Sequence, residues 1–354
     1  MNPQQTPIEL WHEIFQYLSC QELAKASSVS RQWDHLSSCL FLYRRLFEKE
    51  FRSSMVLDSQ HAPFVEMMLR DCDDETQVAH VFKQCFPILE DLDLEAPETQ
   101  IQSSLLQLLL DSKDRLSRFF SQEQEEIPEC ACLGPAADMS LGLVSQLLDM
   151  ADIHFSIEDK VKRCKNQKKF RERWRNHGFV INVSASTTDM KHMVIHTLHA
   201  RTRGKRNLLD FGGNRVNDSL IMQDSEQLQF GVQGLLKNCN AIVYFVPNTK
   251  SLFEDKDPEE LRSFWDSVAK EISALVRLNS KVSAMAIVGI SNRHINEENC
   301  LTAIEIFEAL GRAPFLLEYP KPWRIFSLLS QDSTFENFNQ VLEFIYPVST
   351  CKEN

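Results

Sequence analysis

The sequence predicts an α plus α/β protein: an N-terminal three-helix unit, a helical linker, and a C-terminal, largely parallel sheet flanked by helices. Three observations predict it. Apolar residues recur at three- and four-residue steps through the first fifty positions, as on one face of a helix. Unbroken apolar runs, Ala241 to Val246 and Met285 to Ile290, read as strands covered on both faces. Helical patterns at 259–276 and 301–310 separate the strands, as crossovers between parallel neighbours do.

The first helix begins at Thr6-Pro7, with proline in the first turn where its missing N–H costs nothing. Leu10, Trp11, Ile14, Phe15 and Leu18 then line one face. Ser19, with Glu22 three residues on, predicts a capping box opening a second helix through Leu23, Ala24 and Ala26 towards Val29. Ser30-Arg31-Gln32-Trp33 opens a third, followed by Leu36, Leu40, Leu42, Tyr43 and Leu46. So small a helical unit buries little apolar area alone and needs a partner surface.

The run Pro7-Ile8-Glu9-Leu10, then Ile14-Phe15, Tyr17-Leu18, Leu23, Val29-Ser30-Arg31-Gln32-Trp33 and Leu36 resembles the F-box family along its whole length. It departs from that pattern at Thr6, where leucine is usual, and around Phe41-Leu42-Tyr43, where a tryptophan is usual. The resemblance implies binding to the adaptor Skp1 and, through it, to a cullin scaffold and RING subunit of a ubiquitin ligase. It assigns Pro7, Ile8, Leu10, Ile14, Phe15, Leu18, Leu23, Val29, Trp33 and Leu36 to that contact, with Trp33 and Leu36 shared with the internal core. Physically this is helix-in-groove recognition by apolar anchors.

Residues 51–126 read as a helical linker after the 1–50 unit, with helices at 64–69, 78–89 and 101–110, and Pro87 bending or ending the second. The acidic runs at 71–75 and 90–93 lack the glycine and spaced acceptors of a calcium loop and read as solvated joints. The polar stretch 121–129 marks a boundary before a third region, 127–354.

In that region Leu141 to Met150 reads as a helix, Phe179 to Val183 as the first strand, Trp323 to Leu329 as the last, and Phe335 to Tyr346 as a closing helix. A strand, a variable segment and then alternating strands and helices resemble the layout of a small GTPase. The nucleotide chemistry does not follow. The turn after Phe179–Val183 is Ser184-Ala185-Ser186-Thr187-Thr188-Asp189, without the glycines and lysine that cradle phosphates. Ser291-Asn292-Arg293-His294 stands where a base-reading loop is expected, and only Asp210-Phe211-Gly212-Gly213 matches a switch motif. An F-box joined to a degenerate GTPase-like domain resembles a group of ubiquitin-ligase substrate receptors, which implies a target protein held by that domain through sheet-edge pairing. The expected protein is a non-catalytic receptor with no cofactor; the alternative is a nucleotide-switched receptor that still binds GTP.

The net charge of −12 argues against a nucleic-acid partner for the chain as a whole. A local basic stretch, 162–175, carries eight basic side chains against one acid, and a smaller cluster is Arg201, Arg203, Lys205 and Arg206. Nuclear import, an acidic target segment and nucleic acid are open uses for it; a solvated loop is the plainer reading. No apolar run reaches membrane-spanning length, so no membrane partner is expected and the location is cytoplasmic, with the nucleus as a second site. Of ten cysteines only Cys130 and Cys132 are close in sequence, which predicts reduced thiols and no zinc site. His192, His196 and His199 would share a helix face with no carboxylate or cysteine nearby to complete a metal set.

Overall fold

The computed structural model describes residues 7–87, 128–136, 151–155, 174–182, 192–200, 220–222, 226–254, 256–278, 282–291, 296–331, 334–335 and 338–350. The expected helices at 101–110 and 141–150, the turn 184–189, the Asp210 motif and nearly all of the basic stretch lie outside the described residues.

The N-terminal unit consists of α1 (Ile8–Phe15), α2 (Cys20–Val29), α3 (Arg31–Ser37) and α4 (Leu40–Leu46), the last continuing into a π-helical turn over Phe47–Phe51. Pro7 is the N-cap of α1. The capping box forms as predicted: the Ser19 N–H donates to Glu22 Oε2 at 2.8 Å, and the Glu22 N–H points back at Ser19 Oγ. Ser30 caps α3 by accepting from the Trp33 N–H at 3.2 Å. The expected third helix divides in two. Ser37 and Ser38 hydroxyls donate to the Asp34 carbonyl, competing with the helix's own ladder, and Cys39 becomes the N-cap of α4.

α5 (Ala62–Leu69) and α6 (Glu75–Cys85) follow. Phe86 and Pro87 end α6, as expected from a residue that cannot donate a helical hydrogen bond. The acidic joint between them is structural: Asp74 caps α6 by accepting from Thr76 and Gln77 N–H groups, while Asp71 and Asp73 pair with Arg44. Tyr43, Phe51, Phe64, Phe82 and Phe86 form one aromatic cluster, with Tyr43 and Phe82 centroids 4.7 Å apart, and it fuses the N-terminal unit to α5 and α6.

The linker region is not wholly helical. It contributes strand β1 (Val56–Asp58), which joins the C-terminal sheet. The other strands are β2 (Glu129–Leu133), β3 (Ala151–Phe155), β4 (Trp174–Asn182), β5 (His192–Ala200), β6 (Ala241–Pro247), β7 (Ala284–Ile290) and β8 (Trp323–Ser327), in the spatial order β1-β8-β7-β6-β2-β5-β4-β3. β5, β2, β6, β7 and β8 are mutually parallel; β1, β4 and β3 run antiparallel to their neighbours. The sheet is therefore mixed, with a parallel centre and antiparallel edges.

Two elements correct the sequence reading. Phe179–Ile181 lies in β4, an antiparallel strand; the first parallel strand is β2, whose five residues are too short and cysteine-rich to stand out from the polar boundary beside them. The 192–200 segment is strand β5, not a helix.

Helices α7 (Phe230–Leu236), α8 (Pro258–Val276), α9 (Ala303–Ala309) and α10 (Phe338–Thr350) accompany the sheet. Every residue of β6 and β7 is buried, and alternate residues face opposite ways. Ile242, Tyr244, Met285 and Ile287 join α8, α9 and the N-terminal helices in one core; Val243, Phe245, Ala286 and Val288 pack with Phe338, Val341, Leu342 and Ile345 of α10 in another. The first core runs without interruption from Phe15 to Ile325. Backbone bonds strengthen the joint: Ser327 N–H to Met55 O at 2.7 Å and Ser59 N–H to Trp323 O at 2.9 Å, with Arg312 reaching the Leu69 carbonyl at 2.9 Å.

Candidate functional site

The site is built on α1 and the starts and ends of its neighbours. Trp11 and Phe15 of α1 pack against Trp33 of α3, with Trp11 and Trp33 centroids 4.6 Å apart and Phe15 and Trp33 5.3 Å. In this unit Ile8 (51%), Leu10 (47%), Ile14 (46%), Tyr17 (78%), Val29 (64%) and Phe41 (58%) are exposed. Among described residues only Phe230 joins them as an exposed large apolar side chain, so the apolar exposure concentrates here. Pro7 is exposed beside them. A small domain exposing such a set of apolar groups is marked for association.

The ten sequence-predicted residues separate into three groups. Pro7, Ile8, Leu10, Ile14 and Val29 stand outward. Leu18 and Trp33 are half-buried and pack against the core. Phe15, Leu23 and Leu36 are inside, at 2%, 1% and 4% exposure, and position the helices instead of offering a surface. Tyr17 and Phe41 belong to the outward set although the ten omit them. Tyr17 is held near Arg45, whose guanidinium carbon lies 6.0 Å from the ring centroid. Charged pairs tie the platform down: Lys83 to Asp34, and Arg44 to Asp73 at 2.7 Å.

Residues 7–49 match the F-box-like family. The chain carries an F-box-like domain. A comparison with curated proteins gives no match.

The far end of the sheet shows what the C-terminal region can hold. In open α/β sheets ligands sit in the crevice outside the carboxyl ends of the strands. Here β6, β7 and β8 are tied together at that end. Asn248 Nδ2 donates to Ser327 Oγ at 3.1 Å and to Leu328 O at 3.0 Å, Leu301 N–H donates to Asn248 O at 2.6 Å, and the Ser327 hydroxyl donates to Leu301 O. A Cβ on Gly289 would lie 2.9 Å from Asn248 Cβ and 2.7 Å from Ile306 Cδ1, so the space beside Gly289, between Asn248 and α9, is filled. The turn at the carboxyl end of the central parallel strand begins at Gly134, not at Ser184. Gly134 adopts φ 107°, and a Cβ there would meet Phe245 O at 2.4 Å. The sequence from Gly134 to Ser140 contains no lysine for a phosphate.

At the opposite, amino end of the parallel strands the histidine reading is corrected. His196, on β5, meets Glu129 of β2 with Nε2 2.7 Å from Oε2, and Cys239, just before β6, completes a group whose ligand atoms all lie within 4.8 Å of one another. Glu129 and His196 are 67 positions apart, so no spacing in the sequence could announce the set. No helix among the described residues is long and apolar enough to cross a membrane.

Proposed function

We propose that this chain is the substrate-receptor subunit of a Skp1–cullin–F-box ubiquitin ligase. The observation that carries the reading is the outward apolar set on the F-box-like domain: Ile8, Leu10, Ile14, Tyr17, Val29 and Phe41. F-box domains generally bind Skp1 within such complexes, and side chains of this kind fill apolar pockets on a partner. Skp1 in turn links the chain to the cullin scaffold and the RING subunit.

The continuous core supports a receptor of fixed geometry. With the F-box-like helices and one sheet face sharing it, a target bound at the sheet stands at a set distance from the charged conjugating enzyme. The mechanism is proximity: two binding faces raise the effective concentration of a target lysine, with no nucleophile or general acid required of this chain. The receptor acts in the cytoplasm, with the nucleus as a second site.

The finer reading is that the C-terminal region is a degenerate GTPase-like domain, as in the F-box only protein four that the chain resembles at Leu133-Gly134-Pro135, Ile181 to Thr188, Cys239 to Val246 and Cys300 onward. Supporting it are a central first parallel strand with an antiparallel wing on one side and later strands added on the other. The packed crevice at Asn248, Gly289 and Ser327 weighs against the nucleotide-switched alternative. For the target, β3 ends the sheet order, and an edge strand offers backbone donors and acceptors to an added strand.

The test is co-purification. An epitope-tagged chain carrying Ile14→Asp should lose Skp1, cullin and RING subunit while gaining target protein that is no longer degraded. Undiminished Skp1 in that eluate contradicts the proposal.

A further inference from the structure

We propose that Glu129, His196 and Cys239 form a zinc-binding site that fastens the neighbouring parallel strands β5 and β2 to the turn that enters β6. The three residues come from adjacent positions across β5, β2 and the turn before β6, and one carboxylate oxygen, one imidazole nitrogen and one sulfur lie within 4.8 Å of one another. Carboxylate, imidazole and thiolate are the donors zinc takes, and the mixed N, S and O set favours it over calcium or magnesium, which take oxygen alone.

The backbone around the site is fixed from both sides. The Glu129 N–H donates to Asn240 Oδ1 at 3.0 Å, its carbonyl accepts from the Asn240 N–H at 2.7 Å, and the flanking Pro128 carbonyl accepts from Val194 at 2.9 Å. Ala131 is the register partner of His196, which places Glu129 two residues back on the same face. His196 is 2% exposed, and its Nδ1 is buried with no hydrogen-bond partner, a costly state for an imidazole with only structural work to do. Cys239 is fully buried, and its thiol donates to the Leu235 carbonyl at 3.4 Å. A core cysteine alone is ordinary; one converging with a buried, half-satisfied histidine and a carboxylate is not.

On binding, the Cys239 thiol gives its proton to solvent and the sulfur ligates as thiolate, so charge and atoms balance without any redox partner. Glu129, whose side chain keeps 23% exposure, is the solvent side of the site and leaves room for water as the fourth ligand. The position, at the amino ends of the parallel strands and away from the carboxyl-end crevice, suits a structural clamp.

The full-length chain, stripped with chelator under reducing conditions, is equilibrated with excess zinc chloride, desalted, and analysed for metal by mass spectrometry. One zinc per chain is expected for the wild type and for Cys72→Ser, which removes a half-exposed thiol elsewhere. His196→Gln and Cys239→Ser should retain none. Glu129→Gln, at a partly exposed position that tolerates an amide, should fold and bind at least about tenfold more weakly in competition with a chromophoric zinc chelator. Cobalt(II) should give a near-ultraviolet thiolate charge-transfer band that Cys239→Ser abolishes. A wild-type chain that retains no zinc, or equal retention by wild type, Glu129→Gln and Cys239→Ser, overturns the proposal.

Discussion

Replacing Leu10 and Ile14 together by alanine removes two neighbouring anchors from the outward face of α1. Each is about half exposed, 47% and 46%. Full burial of such a side chain is worth about 1.5–3 kcal/mol, so covering the exposed half against Skp1 contributes about 1 kcal/mol per residue. The pair should therefore weaken binding by about 2 kcal/mol, or roughly thirtyfold in Kd. Their inward halves are already packed, and alanine favours helix, so the fold should lose no more than about 1 kcal/mol. Leu23→Ala is the counterpart. At 1% exposure it should cost about 2–5 kcal/mol of stability through the cavity it leaves. Isothermal titration against Skp1, with thermal unfolding of each variant, separates the two effects. A double variant that binds within threefold of wild type while remaining folded would refute the assignment of this face.

Three further outcomes follow from other parts of the molecule. Burial by itself would raise the Asp58 carboxyl, but hydrogen bonds and charge from His61, with Arg324 beyond, outweigh it and hold it below its ordinary value. That carboxylate therefore stabilises the fold above the unfolded pKa and loses the effect as pH falls through the lower folded one; Asp58→Asn should reduce unfolding free energy at neutral pH and converge with wild type in strong acid. A variant with the same deficit at every pH would contradict this. Gly134→Ala places a methyl 2.4 Å from Phe245 O at a positive φ, and should cost more than about 2 kcal/mol in denaturant unfolding, whereas an unchanged midpoint would show that the turn relaxes freely. Titration with a fluorescent GTP analogue should show no saturable binding at micromolar concentrations; saturation would restore the nucleotide-switched alternative.

The N-terminal unit was legible because its signals are local. Ser19 with Glu22 three residues on, Ser30 ahead of Trp33, and apolar steps of three and four are settled within one helical turn. The break at Ser38 was not, since it depends on two hydroxyls that turn back on the Asp34 carbonyl. β6 and β7 announced themselves by unbroken apolar runs. β2 and β5 did not: β2 is five residues long, and β5 spaces His192, His196 and His199 at steps that also fit a helix. For the proposed partner face, sequence pattern pointed to the first helices but did not divide outward Leu10 and Ile14 from inward Phe15 and Leu23, because neighbours on a short helix turn inward or outward according to what packs on them. The Glu129, His196 and Cys239 group was illegible for a different reason: two strands and the turn before a third bring it together, and each residue alone is ordinary.

The central claim is that the apolar face of the F-box-like domain is a Skp1 surface. Sedimentation of the purified chain mixed with Skp1, at concentrations well above micromolar, tests it directly. A single one-to-one species carrying both proteins is expected. Two boundaries at the sedimentation coefficients of the separate components would contradict it.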